Sequence, residues 1–245
     1  MPTDDSLASR NPALALTPVQ TPVQNDGVPA YLRDIYSWAY LSPIGRAIFD
    51  HPPVVSAILW GNYHRLIRWV EDEIRPGDRM LQIASVYGEF SPRMARAVGP
   101  EGSLDVIDIA PIQVEHTRIK LKPYPQARVA LADAAVPPDG PFDVAVSFFL
   151  LHEVPEDYKS RIVNAALERV QPGGKMIFID YHRPANLHPL RPIMVGVFAL
   201  LEPFAKILWT REISSYARDA AKFTWTKETC FGGLYQKVIA IHRAD

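Results

Sequence analysis

The side chains with the most chemistry to offer stand at the ends of short apolar runs. His152 and Glu153 close the stretch Phe142-Asp-Val-Ala-Val-Ser-Phe-Phe-Leu-Leu-His-Glu-Val-Pro155. Asp180, Tyr181 and His182 follow Lys175–Ile179, and Asp108 and Asp133 end two earlier runs. Histidine exchanges a proton near neutral pH more readily than other side chains. His152, with Glu153, Tyr181 and His182, is therefore the candidate acid–base set. The competing role for His152 is a loop cap bonded to backbone. An acid ending a second strand, about 20 residues past a first-strand loop, can accept hydrogen bonds from both hydroxyls of a bound ribose. Asp108, with Ile109 beside it, fits that role, or else caps the next helix. Asp133 in Leu131-Ala-Asp-Ala134 could accept an adenine amine, completed by the Ala134 backbone, or could be a solvated loop acid.

Two further groupings are less defined. Ser147–Leu151 is expected to line a cofactor crevice. Asp180, His182 and His188, with His152 or Glu153, offer oxygen and nitrogen donors for a divalent ion such as Mn²⁺, although no fixed metal-ligand spacing is met and a structural role competes. The metal ligands, if any, stay unknown at this stage. The aromatic residues Tyr31, Tyr36, Trp38, Tyr40, Trp60 and Tyr63 pack helices or form a lid suited to a flat ring.

These residues need elements to hold them. Met80–Ala84, Leu104–Ile109, Arg128–Ala132, Val144–Leu150 and Lys175–Asp180 read as strands, and Val144–Leu150 is continuously apolar, as in a parallel sheet buried on both faces. Between them, a helix begins at Ser91-Pro92, with the hydroxyl as cap, and stops at Gly99. Ile112–Leu121 and Pro155–Val170 continue the alternation. Phe223–Thr229 and Leu234–His242 flank Gly232-Gly233 and read as an antiparallel hairpin. The expectation is a doubly wound α/β fold of Rossmann-like class I methyltransferase type, a mostly parallel seven-stranded sheet with a C-terminal antiparallel hairpin.

The loop after the first strand, Met80-Leu-Gln-Ile-Ala-Ser-Val-Tyr-Gly-Glu-Phe-Ser91, is unusual for such a fold. Close approach of backbone to a nucleotide favours glycine, yet Gly88 is the one glycine here. Ala84 and Ser85 are small, whereas Val86 and Tyr87 are bulky.

Domain boundaries follow from composition. Residues 1–28, proline-rich with a tandem Thr-Pro-Val-Gln, are expected to be a disordered tail. Residues 29–75 form a helical cap with helices at Tyr31–Phe49 and Val54–Val70, and 76–245 form the α/β domain, with a helical lid inserted at about 184–222. A net charge of −1 without a basic stripe argues against nucleic-acid binding. The single cysteine, Cys230, excludes an internal disulfide and CxxC chemistry. The N-terminus lacks a secretory h-region. No apolar run reaches the roughly 18 to 20 residues of a membrane span, although Leu190–Trp209 and Tyr31–Phe49 could lie on a membrane surface.

Taken together, Phe142–Pro155 and Val170–Asp180 resemble the S-adenosylmethionine (SAM)-dependent methyltransferase superfamily, and Tyr36-Ser-Trp-Ala-Tyr-Leu-Ser-Pro resembles the N-terminal cap of quinone-ring C-methyltransferases. Ile58-Leu-Trp-Gly-Asn62, Gln82–Gly88, Pro111–Val114, Phe148–Pro155, Asp180-Tyr-His182 and Phe231–Lys237 resemble the rhodoquinone biosynthesis (RquA) family, over roughly Val28–Ala240. That resemblance implies a SAM-dependent enzyme that converts ubiquinone to rhodoquinone, replacing a ring methoxy group by an amino group taken from SAM with the help of Mn²⁺. It implies a cytoplasmic protein peripherally associated with the inner membrane. The cofactor-binding positions would be Gln82, Ala84, Tyr87, Gly88, Asp108, Ile109, Asp133, Ala134 and Ser147. Gln82 replaces the acid usual at the first strand's end and Val86 replaces a glycine, so the amino-acid end of SAM is expected in a different pose. An ordinary quinone or phenol methyltransferase and a non-catalytic accessory protein with the same fold are the rival readings.

Overall fold

The computed structural model describes residues 50–244. The N-terminal tail, the helix expected at Tyr31–Phe49, and Tyr31, Tyr36, Trp38 and Tyr40 lie outside the described residues.

Strand and helix alternate from Arg79 onward. The strands are β1 (Arg79–Ile83), β2 (Ser103–Asp108), β3 (Ala127–Leu131), β4 (Phe142–Phe148), β5 (Val170–Tyr181), β6 (Phe223–Cys230) and β7 (Tyr235–His242). They form one sheet in the order β3-β2-β1-β4-β5-β7-β6. From β3 to β5 the neighbours pair in parallel, whereas β7 runs antiparallel to both β5 and β6. The seven-stranded sheet with its closing hairpin is thus the expected one. Its order reverses between β1 and β4, the place where a doubly wound sheet leaves a crevice beyond its strand ends.

The two-residue period of the strands divides the core. Met80, Val106, Val144, Val146, Ile177 and Ile179 face one side, where they meet α1 (Pro52–Ile58), α2 (Tyr63–Glu71) and α3 (Phe90–Val98). Leu81, Ile83, Ile107, Ala145, Met176 and Phe178 face the other, against Ile162, Val163 and Ala166 of α5 (Glu156–Leu167). Between β2 and β3 lies α4 (Pro111–Leu121).

Local chemistry moved some boundaries. The single helix expected over Val54–Val70 is two, because the chain turns at Trp60 and Gly61 with φ of 51° and 78°. The Asn62 amide secures that turn by donating to the Leu59 and Trp60 carbonyls. Ser91 does not cap its helix: α3 begins at Phe90, and the Ser91 hydroxyl is buried without a hydrogen-bond partner. β5 starts at Val170, before the Pro172-Gly173-Gly174 turn expected to precede it, with an irregular register opposite Phe142–Val144. The insertion after β5 holds α6 (Arg191–Leu200) and three short 3₁₀ turns.

Candidate active site

A cleft open to solvent lies beyond the strand ends and is lined by Ala84, Asp108, Ile109, Asp133, Ala134 and Glu153. Asp108 ends β2; its Oδ2 accepts the Ser85 N–H at 2.7 Å and its Oδ1 the Ala110 N–H at 2.8 Å. Desolvation pushes its carboxyl above the usual range, against those backbone donors. Asp108 therefore orders the turn before α4, although the helix itself has no side-chain cap. Each carboxylate oxygen has a second lone pair, so ordering this turn and binding a ribose fit one residue. Asp133 orders its own loop in the same way, accepting the Ala135 N–H at 2.7 Å.

The loop leaving β1 is shaped by side chains rather than glycines. Ala84 adopts φ of 73°, a left-handed conformation that alanine rarely takes, and Gly88 takes φ of 76°. The Gln113 amide donates to the Tyr87 hydroxyl at 2.8 Å, and Thr117 donates to Ser85 at 3.0 Å. Burial, helped by nearby carboxylates and opposed by this hydrogen bond, lifts the Tyr87 phenol to about 12. Gln82 is fully buried; its amide donates back to the Ala84 carbonyl at 2.9 Å, and its Oε1 has no protein partner. Gln82, Tyr87 and Gly88 support the cleft from behind its lining.

Ser147 departs from expectation. It is buried with its hydroxyl unpartnered, and Phe148, Phe149 and Leu150 form the lining instead. The alternation of β4 accounts for this, since adjacent side chains face opposite sides.

Behind the lining residues Phe149 and Glu153, β4 and β5 bring the buried His152 to Asp180. The His152 Nδ1 lies 3.0 Å from Asp180 Oδ1. Asp180 also accepts the N–H groups of Leu151, His152 and Tyr181. The other imidazole nitrogen, Nε2, faces Glu153 at 3.7 Å and Glu202 at 3.9 Å. Burial alone would lower the imidazole's proton affinity, but the three carboxylates outweigh it and hold His152 at about 9. These carboxylates favour the protonated imidazole.

An aromatic wall surrounds this pair. Phe149, at φ of 55°, packs edge-on against His152, Tyr181 and Tyr235, and Tyr181 packs against Phe198 of α6. Burial, then neighbouring Tyr235 and carboxylates, raises the Tyr181 phenol well above its ordinary value. Lys159, fully buried on α5, ties the lid down by donating to the Val154 carbonyl at 2.5 Å and the Phe204 carbonyl at 3.1 Å. Desolvation lowers this ammonium to about 8.

Other candidates stand apart from the pair. The His182 Nδ1 meets the Gly233 carbonyl at 2.9 Å and its Nε2 lies 3.4 Å from Lys227, contacts of the hairpin. His188 packs on Phe231 at the hairpin turn, and its Nδ1 accepts the Leu190 N–H. Among the described residues no group of three His, Cys, Asp or Glu side chains could hold a metal ion, so the expected Mn²⁺ donor set does not fit. Tyr63 is core with its hydroxyl under the nucleotide loop, and Trp60 is exposed, so neither forms a lid over the cleft. Asp50, Lys159, Glu202 and the aromatic wall were missed. Glu202, the one acid in the largely apolar run Ile193–Trp209, carried the signal that could have been read.

Residues 80–174 match the family described as Methyltransferase domain. A SAM-dependent methyltransferase from Aquifex aeolicus superposes with a TM-score of 0.54 at 16% identity, covering 82% of this chain and 98% of the other. This is the class I SAM-dependent methyltransferase fold. Phosphoethanolamine N-methyltransferase 2 from Haemonchus contortus, in complex with SAM, gives a TM-score of 0.65 at 12% identity over 89% of this chain and 61% of the other. In sequence, the ubiquinone/menaquinone biosynthesis C-methyltransferase UbiE of Teredinibacter turnerae is 29% identical over 172 residues, 66% of this chain and 68% of that protein.

Proposed function

We propose that this protein is a SAM-dependent enzyme acting on the ring of ubiquinone, and that its reaction forms rhodoquinone by exchanging a ring methoxy group for an amino group. The observation that carries the reading is the imidazole of His152, set between Asp180, Glu153 and Glu202 and against Tyr181 and the lining residue Phe149. A flat, electron-poor ring against that aromatic wall would present a carbonyl oxygen to a cationic donor.

SAM fits the cleft. Asp108 would take its ribose, and Asp133 and Ala134 its adenine. When bound, SAM supplies the transferred group: its methyl in an ordinary methyltransferase, its amino nitrogen in the rhodoquinone reaction. A neutral glutamine behind the lining, where an acid is usual, supports the second, because it leaves the amine without a counter-charge that would favour the protonated form.

The protein's own residues divide the remaining work. His152, already protonated, donates to the quinone oxygen and stabilises negative charge developing there. It is not the base. Glu153 lines the cleft and is the carboxylate placed to accept the proton that the attacking group must lose. Tyr181, an un-ionised phenol, forms part of the ring's wall. The lid excludes water, held by Lys159.

The substrate's long apolar tail places this chemistry at a bilayer. No helix among the described residues is long and apolar enough to cross a membrane. The outer side of α6 and its flanks, however, exposes Leu187 (97%), Leu200 (84%), Ile193, Val195 and Leu201. Arg183 and Lys206, both exposed, flank α6 in sequence, while Glu202 approaches His152. An anionic lipid surface complements it. Docking there would set the inner side of α6, at Phe198, next to the quinone ring.

The UbiE relative, a C-methyltransferase by name, favours plain ring methylation as the second reading. Product mass separates the two: methoxy lost with nitrogen gained, or one methyl gained.

A further inference from the structure

Five of the six residues in Ala84–Glu89 carry side chains, and two elements outside the loop hold it. Asp50, immediately before α1, accepts the Gly88 N–H at 2.8 Å through Oδ1. The same oxygen accepts Lys120 Nζ at 2.8 Å, and Oδ2 meets His116 Nε2 at 2.6 Å. Lys120 and His116 both belong to α4, and Lys120 also reaches the Val86 carbonyl at 3.5 Å. From below, the Tyr63 hydroxyl accepts the Glu89 N–H at 2.6 Å. Gly88 sits so close that an added Cβ would stand 2.3 Å from that hydroxyl.

We infer that Asp50 is a positioning residue for the SAM-binding loop: its carboxylate latches the segment leading into α1 onto Gly88 and α4, and so fixes the course of Val86–Gly88 behind the cleft. The inference rests on the SAM reading of that cleft. Two links carry the effect to the ligand. Tyr87, between the two latched residues, is hydrogen-bonded to Gln113, which lines the cleft. Ser85, on the other side of Val86, holds Asp108 through its backbone N–H and Thr117 through its hydroxyl. A loop freed at Gly88 loosens both Gln113 and the Asp108 carboxylate. Among the described residues the hydrogen-bond and ion-pair partners of Asp50 are Gly88, His116 and Lys120, none of which lines the cleft, so its influence passes through the loop and α4.

The sequence shows why such a latch is needed. With Val86 and Tyr87 where a nucleotide loop favours glycine, the chain cannot settle by backbone freedom alone. An external acceptor for the Gly88 N–H replaces that freedom with a fixed contact.

Calorimetric titration of SAM into the purified full chain tests this, with thermal unfolding run beside it. Asp50→Ala should weaken SAM binding about tenfold or more and raise the KM for SAM, with kcat at saturating SAM little changed. Asp50→Asn keeps an acceptor for Gly88 while losing the ion pairs, and Lys120→Met loses one ion pair, so both should weaken binding less. A lowered unfolding temperature with SAM affinity unchanged in Asp50→Ala would overturn the inference. So would losses in Asp50→Asn and Lys120→Met as large as in Asp50→Ala, which would assign the effect to the ion pairs. Should Asp50→Ala not fold, Asp50→Asn decides: near-normal affinity supports the Gly88 contact, and a full loss overturns it. Absence of SAM binding by the wild-type chain overturns the SAM reading and this inference with it.

Discussion

The Nδ1 of His152 stands 3.0 Å from a carboxylate oxygen of Asp180, and that carboxylate also accepts three backbone N–H groups at the junction of the two strand ends. Asp180 thereby does two things at once. It folds the loop after β4 onto β5, and it leaves the other imidazole nitrogen, Nε2, directed at Glu153 and Glu202. His152→Gln should reduce turnover about a hundredfold, in the range of a lost acid–base or donor group, while SAM affinity changes little. Steady-state kinetics with parallel calorimetry check both halves. Retention of full turnover would remove His152 from the chemistry.

The same pair sets a pH dependence. The folded value for His152, about 9, lies above its unfolded value of 6.5. The stabilisation from the charged pair is therefore complete below 6.5 and is lost as pH rises through about 9. Activity that uses the imidazolium should fall over the same upper limb. Asp180→Asn removes the first-ranked attraction and should move that limb to lower pH. A pH–rate profile unaltered by the substitution would contradict the assignment.

Lys159 predicts a link between the lid and the loop that carries His152. Its buried ammonium donates to Val154 and Phe204, and among the described residues no carboxylate forms a hydrogen bond with it. Lys159→Met leaves two carbonyls short of a donor and should lower stability by about 2 kcal/mol. Hydrogen exchange should rise around Phe204 and Val154 rather than across the sheet. Denaturant unfolding and exchange mass spectrometry read the two effects separately.

The exposed face of α6 predicts binding to vesicles containing anionic lipid. Leu200→Glu with Ile193→Glu should abolish co-sedimentation with phosphatidylglycerol vesicles and leave SAM affinity intact. Binding to neutral vesicles of equal strength would deny Arg183 and Lys206 their part. Self-association in light scattering, lost in the double variant, would instead assign the face to a second copy of the chain.

Much of this was legible in the sequence because it depends on local period and position. The strand ends at Asp108, Asp133, His152 and Asp180 follow from apolar runs whose length and alternation admit one arrangement. The break at Trp60–Gly61 was missed because α1 and α2 bury the same side, so one apolar stripe runs through both. Ser147 was misassigned by one step of strand alternation. The approach of Glu202 to His152, of Asp50 to Gly88 and of Lys159 to Phe204 joins residues far apart in the chain. Nothing in their neighbours' types signals such contacts; only the packed lid and cap create them. His182 and His188 looked equivalent to His152 as chemical types, yet hairpin pairing took them to Gly233 and Phe231 instead.

The central claim is that the ring of ubiquinone is modified with SAM beside the His152–Asp180 pair. Purified protein incubated with SAM labelled with ¹⁵N at its amino group and a short-tailed ubiquinone, with and without Mn²⁺, tests it most directly when the quinone product is weighed by mass spectrometry. The account predicts a product that has lost methoxy and carries the ¹⁵N label. A quinone heavier by one methyl and free of label, or an unchanged quinone, would contradict it.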